Sequence, residues 1–122
     1  KLMKPDGTVI KQFPVSRGRR VLRRETASEL RRMMEVVTRH GTGVAAYVEG
    51  VGSAGKTGSA ETGKFDASGK SISHAWFAGY VPLKNPQFVI TVFVEEGMSG
   101  GDVAAPIFGE IAKAILELGI SP

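Results

Sequence analysis

Two apolar runs limit most sharply how this chain can fold. His74-Ala75-Trp76-Phe77-Ala78-Gly79-Tyr80-Val81 and Phe88-Val89-Ile90-Thr91-Val92-Phe93-Val94 are rich in aromatic and β-branched residues, the composition of strands. Between them stands the short turn Pro82-Leu83-Lys84-Asn85-Pro86. A parallel crossover needs about a dozen residues or more, so this short link dictates an antiparallel hairpin. The second run is apolar at nearly every position, which predicts burial on both faces and helices on both sides of the sheet.

Two segments can supply those helices. Thr26-Ala27-Ser28-Glu29 has the spacing of a capping box. Leu30, Met33, Met34 and Val37 follow at helical spacing on one face, with Arg31, Arg32, Glu35 and Arg39 largely on the other. Arg39-His40-Gly41 closes this helix, with basic residues at the negative pole and Gly as the cap. That place accounts for His40 without a ligand or base role, and the Met pair reads as core filling. In the second segment Asp102 is a good N-cap and Pro106 falls in the first turn, where its missing N–H does no harm. Val103, Ile107, Ile111, Ile115 and Leu118 form its stripe, and Gly119 ends it. Gly109 inside that helix costs about 1 kcal/mol against Ala, which close packing on the sheet would offset.

Upstream, Lys4-Pro5-Asp6-Gly7 is a strong turn signal inside a hairpin spanning Leu2 to Ile10, which Phe13-Pro14 ends. Ser16 to Arg24 reads as a basic, extended linker. Thr62 to Ser71 reads as a polar, mobile loop, and Gly97 to Gly101 as a flexible turn. The order is hairpin, helix, three strands, helix: an α+β chain.

At 122 residues the chain is one domain at most, large enough to bury a core. An apolar fraction of 42% with 23% charged residues excludes disordered and fibrous classes. There is no stretch of about 18 apolar residues to span a membrane, and no secretory signal pattern. The chain starts at Lys1, within a strand, so it is expected to be a piece of a longer protein. With no Cys, thiolate chemistry and Cys-based zinc sites are excluded. His40 and His74 stand far apart, so neither a metal centre nor a cofactor is expected. Residues 1–40 carry eleven Lys and Arg against four Asp and Glu, whereas residues 41–122 carry five against eight. The basic part invites a nucleic-acid reading. No aromatics interleave the Arg run and no helix-turn-helix or zinc-finger spacing is present, so nucleic acid is not an expected partner.

The chemistry is concentrated in Gly55-Lys56-Thr57-Gly58-Ser59-Ala60-Glu61. In an extended chain Thr57 and Ser59 share one face, and Gly58 between them lets a ligand approach the backbone. A cation and two hydroxyls of this kind suit a carboxylate or phosphate. Gly50-Val51-Gly52-Ser53-Ala54-Gly55-Lys56-Thr57 matches the phosphate-binding P-loop pattern letter for letter, with Val44 to Val48 as the strand before it. A P-loop must open a helix. Gly58 to Gly69 holds three glycines and no apolar repeat, so the required helix is absent and the P-loop stays only a minor alternative.

Lys56-Thr57-Gly58-Ser59 also resembles the Lys-Thr-Gly signature of the serine transpeptidases that bind penicillin. Other strings agree in register with the C-terminal part of a class B penicillin-binding protein transpeptidase domain. They are Glu25-Thr26-Ala27, Met33-Met34-Glu35-Val36-Val37, Gly41-Thr42-Gly43, His74 to Tyr80 with Pro82, Asn85 and Pro86, and Gly100 to Phe108. Within the class the resemblance leans to the elongation-type penicillin-binding protein 2 and its sporulation-specific relatives. It implies an antiparallel sheet flanked by helices, with the Lys-Thr-Gly strand at one edge, as in the β-lactamase-like fold. It also implies acyl transfer through a serine acyl-enzyme: a Ser attacks the D-Ala-D-Ala carbonyl of a peptidoglycan stem peptide, and β-lactams mimic that dipeptide. By that resemblance Lys56 supplies positive charge near the proton relay, and the Thr57 and Ser59 hydroxyls hold the substrate carboxylate. Gly58 keeps the strand open, and the Ser59 backbone N–H completes the oxyanion hole. Ser59 stands where Thr is commoner in the family, and Glu61 where Gln is frequent.

The family's Ser-x-x-Lys nucleophile pair is not found here. Ser16 and Ser28 are followed at the third position by Arg19 and Arg31. Ser53-Ala54-Gly55-Lys56 fits formally, but it overlaps the Lys-Thr-Gly, and its glycines oppose the helix that would bring Ser and Lys together. The chain is therefore expected to form a substrate-binding wall that does not acylate alone. Its partners would be stem peptides, β-lactams and the upstream remainder of the domain, with self-association through an exposed sheet edge. The place of action would be the extracytoplasmic face of the bacterial membrane, reached through an N-terminal anchor outside this chain. A transpeptidase-shaped binding module without catalysis is the other alternative.

Overall fold

The computed structural model of the chain describes residues 1–14 and 18–120. The first hairpin forms as its turn residues require: β1 (Leu2–Met3) pairs antiparallel with β2 (Val9–Lys11). Gly7 closes the turn with φ 87° and donates its N–H to the Lys4 carbonyl at 3.0 Å. The start of the expected linker, residues 16 and 17, lies outside the described residues.

Helix α1 (Arg24–His40) begins two residues before the expected capping box. The Ala27 N–H already bonds the Arg23 carbonyl at 3.0 Å, so Thr26 lies within the first turn instead of capping it. Arg24 and Glu25 are competent helix formers, and Glu25 carries negative charge at the positive pole of the dipole. The C-terminal end falls at His40, with Gly41 following and its N–H on the Val37 carbonyl at 3.1 Å. Gly41 has an extended backbone, φ −105°, not the left-handed one of a usual glycine cap. The helix face also differs from expectation. Leu30 and Met33 are exposed, Met34 and Val37 are half-buried, and Thr38 is fully buried.

Thr38 is buried because its hydroxyl serves two carbonyls, Ser53 at 2.7 Å and Glu35 at 3.0 Å. Ser53, also fully buried, in turn donates to the Ala46 carbonyl at 2.7 Å. This relay ties α1 to the chain entering the sheet. Thr38→Val keeps the shape but strips the donor from a buried carbonyl, an expected loss of about 1–3 kcal/mol, readable as a lowered denaturation midpoint.

The main sheet is antiparallel, β3 (Ala54–Phe65), β4 (Ser71–Val81) and β5 (Phe88–Val94), in the order β3-β4-β5. The structure removes the minor P-loop alternative. Val44–Ala46 forms a single 3-10 turn where a strand was needed, and Lys56 and Thr57 lie inside β3 where a helix should begin. The supposed mobile loop is also corrected, since β3 runs on to Phe65 and joins β4 through the turn at 66–69. Asp66 organises that turn, accepting from Ser68 Oγ at 2.6 Å and from the backbone N–H groups of Ser68 and Lys70. These bonds, the Ser68 hydroxyl first, hold its carboxyl below the usual aspartate range. A register shift between Glu61 and Phe65 marks a bulge in the arm.

The sheet has two unlike faces. Phe77, Val81, Val92 and Ala75 turn toward helix α2 (Ala105–Glu117), and the Phe77 and Phe108 rings pack with centroids 4.8 Å apart. On the opposite face α1 covers one end, with the Arg31 guanidinium 5.5 Å from the Tyr80 ring centre. The rest of that face is bare: Val89 is 82% exposed and Phe93 48%. The expected double burial of β5 therefore does not occur among the described residues. Its residues alternate, as on a strand at the edge of the sheet with one covered face.

Helix α2 follows a π-helical turn at Gly100–Ala104. Ser99, not Asp102, is the cap, its Oγ accepting from the Asp102 N–H at 3.2 Å. Pro106 falls in the first turn as expected. The buried stripe is Ala105, Phe108 and Ala112, rotated from the expected aliphatic stripe, and Ile111 and Leu118 are exposed. Small residues win because they let the helix approach closely. A Cβ on Gly109 would stand 2.9 Å from the Ala45 carbonyl oxygen, so Gly109 packs on the 3-10 turn and not on the sheet.

Candidate functional site

The edge position of β3 leaves its outer side unpaired in the sheet, and there the chain makes a cleft of about 460 Å³. Thr42, Lys56, Thr57, Gly58, Ser59, Ser99, Gly101 and Asp102 line it. Three elements converge on it: β3, the loop that leaves α1 and the turn that opens α2. Thr57 and Ser59 stand opposite Phe77 and Ala75 in the ladder, so the two hydroxyls project on the α2 side of the sheet.

Lys56 starts on the other side, but its ammonium wraps the strand edge. Nζ donates to the Thr57 carbonyl at 2.7 Å and lies 3.4 Å from Thr57 Oγ1. Thr57 Oγ1 is also 2.8 Å from Thr42 Oγ1. The result is one polar chain, Lys56 to Thr57 to Thr42, on an exposed surface. Ser59 Oγ accepts from the Gly100 N–H at 3.4 Å. Asp102 brings the carboxylate in the lining to the opposite wall. An ammonium flanked by hydroxyls suits an anionic group, whose charged form it favours by charge and hydrogen bonding.

Gly100 explains how the α2 turn reaches the strand. A Cβ there would come within 2.5 Å of the Gly58 and Trp76 carbonyl oxygens. On this side the Gly58 backbone is met by Gly100, while the missing Gly58 side chain would face Trp76 Cβ at 3.3 Å. Gly100→Ala should push the turn off the strand and break the hydrogen bond from its N–H to Ser59 Oγ. The expected cost is about 1–3 kcal/mol, which a lowered melting temperature would report.

The structure brings Lys56, Thr57, Gly58 and Ser59 to one cleft, as the sequence pattern implied, and adds Thr42, Ser99, Gly101 and Asp102. The signals for Thr42, Gly101 and Asp102 were Gly41-Thr42-Gly43 and Gly100-Gly101-Asp102, small-residue strings that permit close approach of backbone, whereas Ser99 lies just outside them. The formal Ser53-Lys56 pair is no nucleophile pair, because the Ser53 hydroxyl is buried and spent on Ala46. Ser28 lies on α1 beside Arg31 and Arg32, in a separate groove, and Ser16 lies outside the described residues.

The chain is similar to known proteins. The family model described as the penicillin binding protein transpeptidase domain matches residues 2–113. Stage V sporulation protein D of Bacillus subtilis is 38% identical, over 94% of this chain and 18% of its own length. The probable peptidoglycan D,D-transpeptidase PenA of Neisseria meningitidis is 40% identical, over 92% of this chain and 20% of its own. Among solved structures, penicillin-binding protein A of M. tuberculosis, as an imipenem acyl-enzyme complex, superposes with a TM-score of 0.69 at 29% identity. That superposition covers 93% of this chain and 24% of the other. The chain thus spans about a fifth of the length of these curated relatives.

Proposed function

Because the chain belongs to the penicillin-binding protein transpeptidase domain family, we propose that it forms the substrate-binding wall of a peptidoglycan D,D-transpeptidase that works through a serine acyl-enzyme. The supporting observation is the convergence of Lys56, Thr57 and Ser59 on one cleft at an open strand edge. The Thr57 and Ser59 hydroxyls bind the terminal carboxylate of the D-Ala-D-Ala stem, and the Lys56 ammonium adds the charge that favours it. The Ser59 backbone N–H donates to the oxyanion that develops when a serine from the rest of the protein attacks the carbonyl. D-Ala leaves, and an amine of a neighbouring stem takes the acyl group.

The same reading makes β-lactams ligands of this cleft, acting at the extracytoplasmic face of the membrane where peptidoglycan is built. The upstream part of the domain is its natural neighbour, covering the bare face around Val89 and Phe93 and the free edge of β5. Copies of the isolated chain are expected to pair through that same surface. The test uses the whole natural protein. Incubation with benzylpenicillin should add the mass of one penicillin to the intact protein. A folded protein that gains no adduct overturns the catalytic reading and leaves a binding module in its place.

A further inference from the structure

We propose that His74 is a positioning residue for the cleft: its ring nitrogen Nδ1 holds the turn that carries Ser99 and Gly100. The consequence for acylation rests on the functional reading above, whereas the latch itself stands on geometry.

The turn after β5 is not a relaxed one. Glu96 and Met98 both lie in the left-handed region, with φ of 52° and 66°. Each such residue other than Gly costs about 1–2 kcal/mol, so the conformation needs anchors. Neighbouring residues of β4 supply them. The Glu96 N–H donates to His74 Nδ1 at 3.0 Å, and the Met98 N–H donates to the Ser73 carbonyl at 2.8 Å. The cleft begins immediately downstream. Ser99 caps the π-helical turn, and the Gly100 N–H reaches Ser59 Oγ. The His74 ring is half-buried and tilted against Phe93, with centroids 5.2 Å apart, which fixes the nitrogen in place.

A ring nitrogen that accepts a hydrogen bond carries no proton. Lys64 Nζ, from the far end of β3, lies 2.7 Å from the Glu96 carboxylate. That hydrogen bond, ahead of its charge, holds the Glu96 carboxyl below the usual range. Glu96 is thus held twice, by its backbone N–H on His74 and by its side chain on Lys64.

The test follows amide hydrogen exchange of residues 96–100 in the whole natural protein, corrected for intrinsic rates. His74→Asn keeps an acceptor near the same place, and His74→Phe removes it. The Asn variant should keep the wild-type protection, and the Phe variant should lose about tenfold, matching loss of one hydrogen bond. Equal protection in wild type and the Phe variant overturns the latch. In parallel, acylation by benzylpenicillin should be about tenfold slower in the Phe variant and restored in the Asn variant. Equal rates in wild type and the Phe variant overturn the positioning role. If no form acylates, the transpeptidase reading fails, and the exchange data still decide the latch.

Discussion

Replacing Lys56 by Ala should slow acylation of the whole protein by benzylpenicillin about 100-fold or more, while the fold survives. The fold survives because the Lys56 side chain is exposed and its bonds are to its neighbour Thr57, not to the core. Activity falls for two reasons that act together. The ammonium is the cation of the cleft lining, so the anionic group loses its charge partner. It also helps orient the Thr57 hydroxyl, which is shared with Thr42. Removing one preorganised donor or charge at a reacting site costs about 3 kcal/mol, which corresponds to that factor. The measurement is the rate of covalent adduct formation by intact mass, beside a thermal melt of the same sample. An unchanged rate with an unchanged melt would remove Lys56 from the mechanism.

Phe108→Ala should be the most damaging of the core substitutions, with an expected loss of about 3–5 kcal/mol. Phe108 is completely buried, and its ring packs on Phe77, which is also completely buried. The same core holds Ala46, Ala104, Ala105 and Ala112, which have no side-chain atoms to move into the space. Small neighbours cannot extend into a cavity, so the hole persists. A large drop in the melting temperature is expected, with Phe108→Leu recovering much of it. A small drop would mean that α2 collapses readily onto the sheet.

How far the sequence revealed this molecule depended on how local each signal was. The β4–β5 hairpin was legible because the length of its link leaves one geometry. The Lys56–Ser59 cluster was legible because alternation along a strand needs no knowledge of neighbours. The helix faces were not. On α1 the buried residue is a threonine satisfied by the Ser53 carbonyl, a partner fifteen residues away, and nothing in a hydrophobic stripe announces it. On α2 the aliphatic residues lost the inward positions to Ala and Gly, because backbone proximity to Ala45 and Ala46 rewarded small volume over hydrophobicity. The 62–71 stretch looked like a loop because its residues are polar, yet an exposed hairpin arm needs no apolar face. Its hydrogen bonds come from the ladder and from Thr62 and Asp66. Thr42 and Asp102 entered the cleft only through tertiary folding, so their strings read as a helix exit and a helix entry.

The bulge between Glu61 and Phe65 has a consequence for how the protein tolerates change in length. On the cleft side of the bulge the ladder is regular from Ala54 to Glu61, and a slip of one residue there would turn both hydroxyls to the opposite face. Beyond it the two strands have already lost their common count, and the tip is exposed. Insertions and deletions at 66–69 are therefore absorbed distally, without being transmitted to Thr57 and Ser59. The bulge divides one continuous hairpin into a segment whose length is fixed by chemistry and a segment free to vary, to be decorated or fused, while the cleft keeps its alignment.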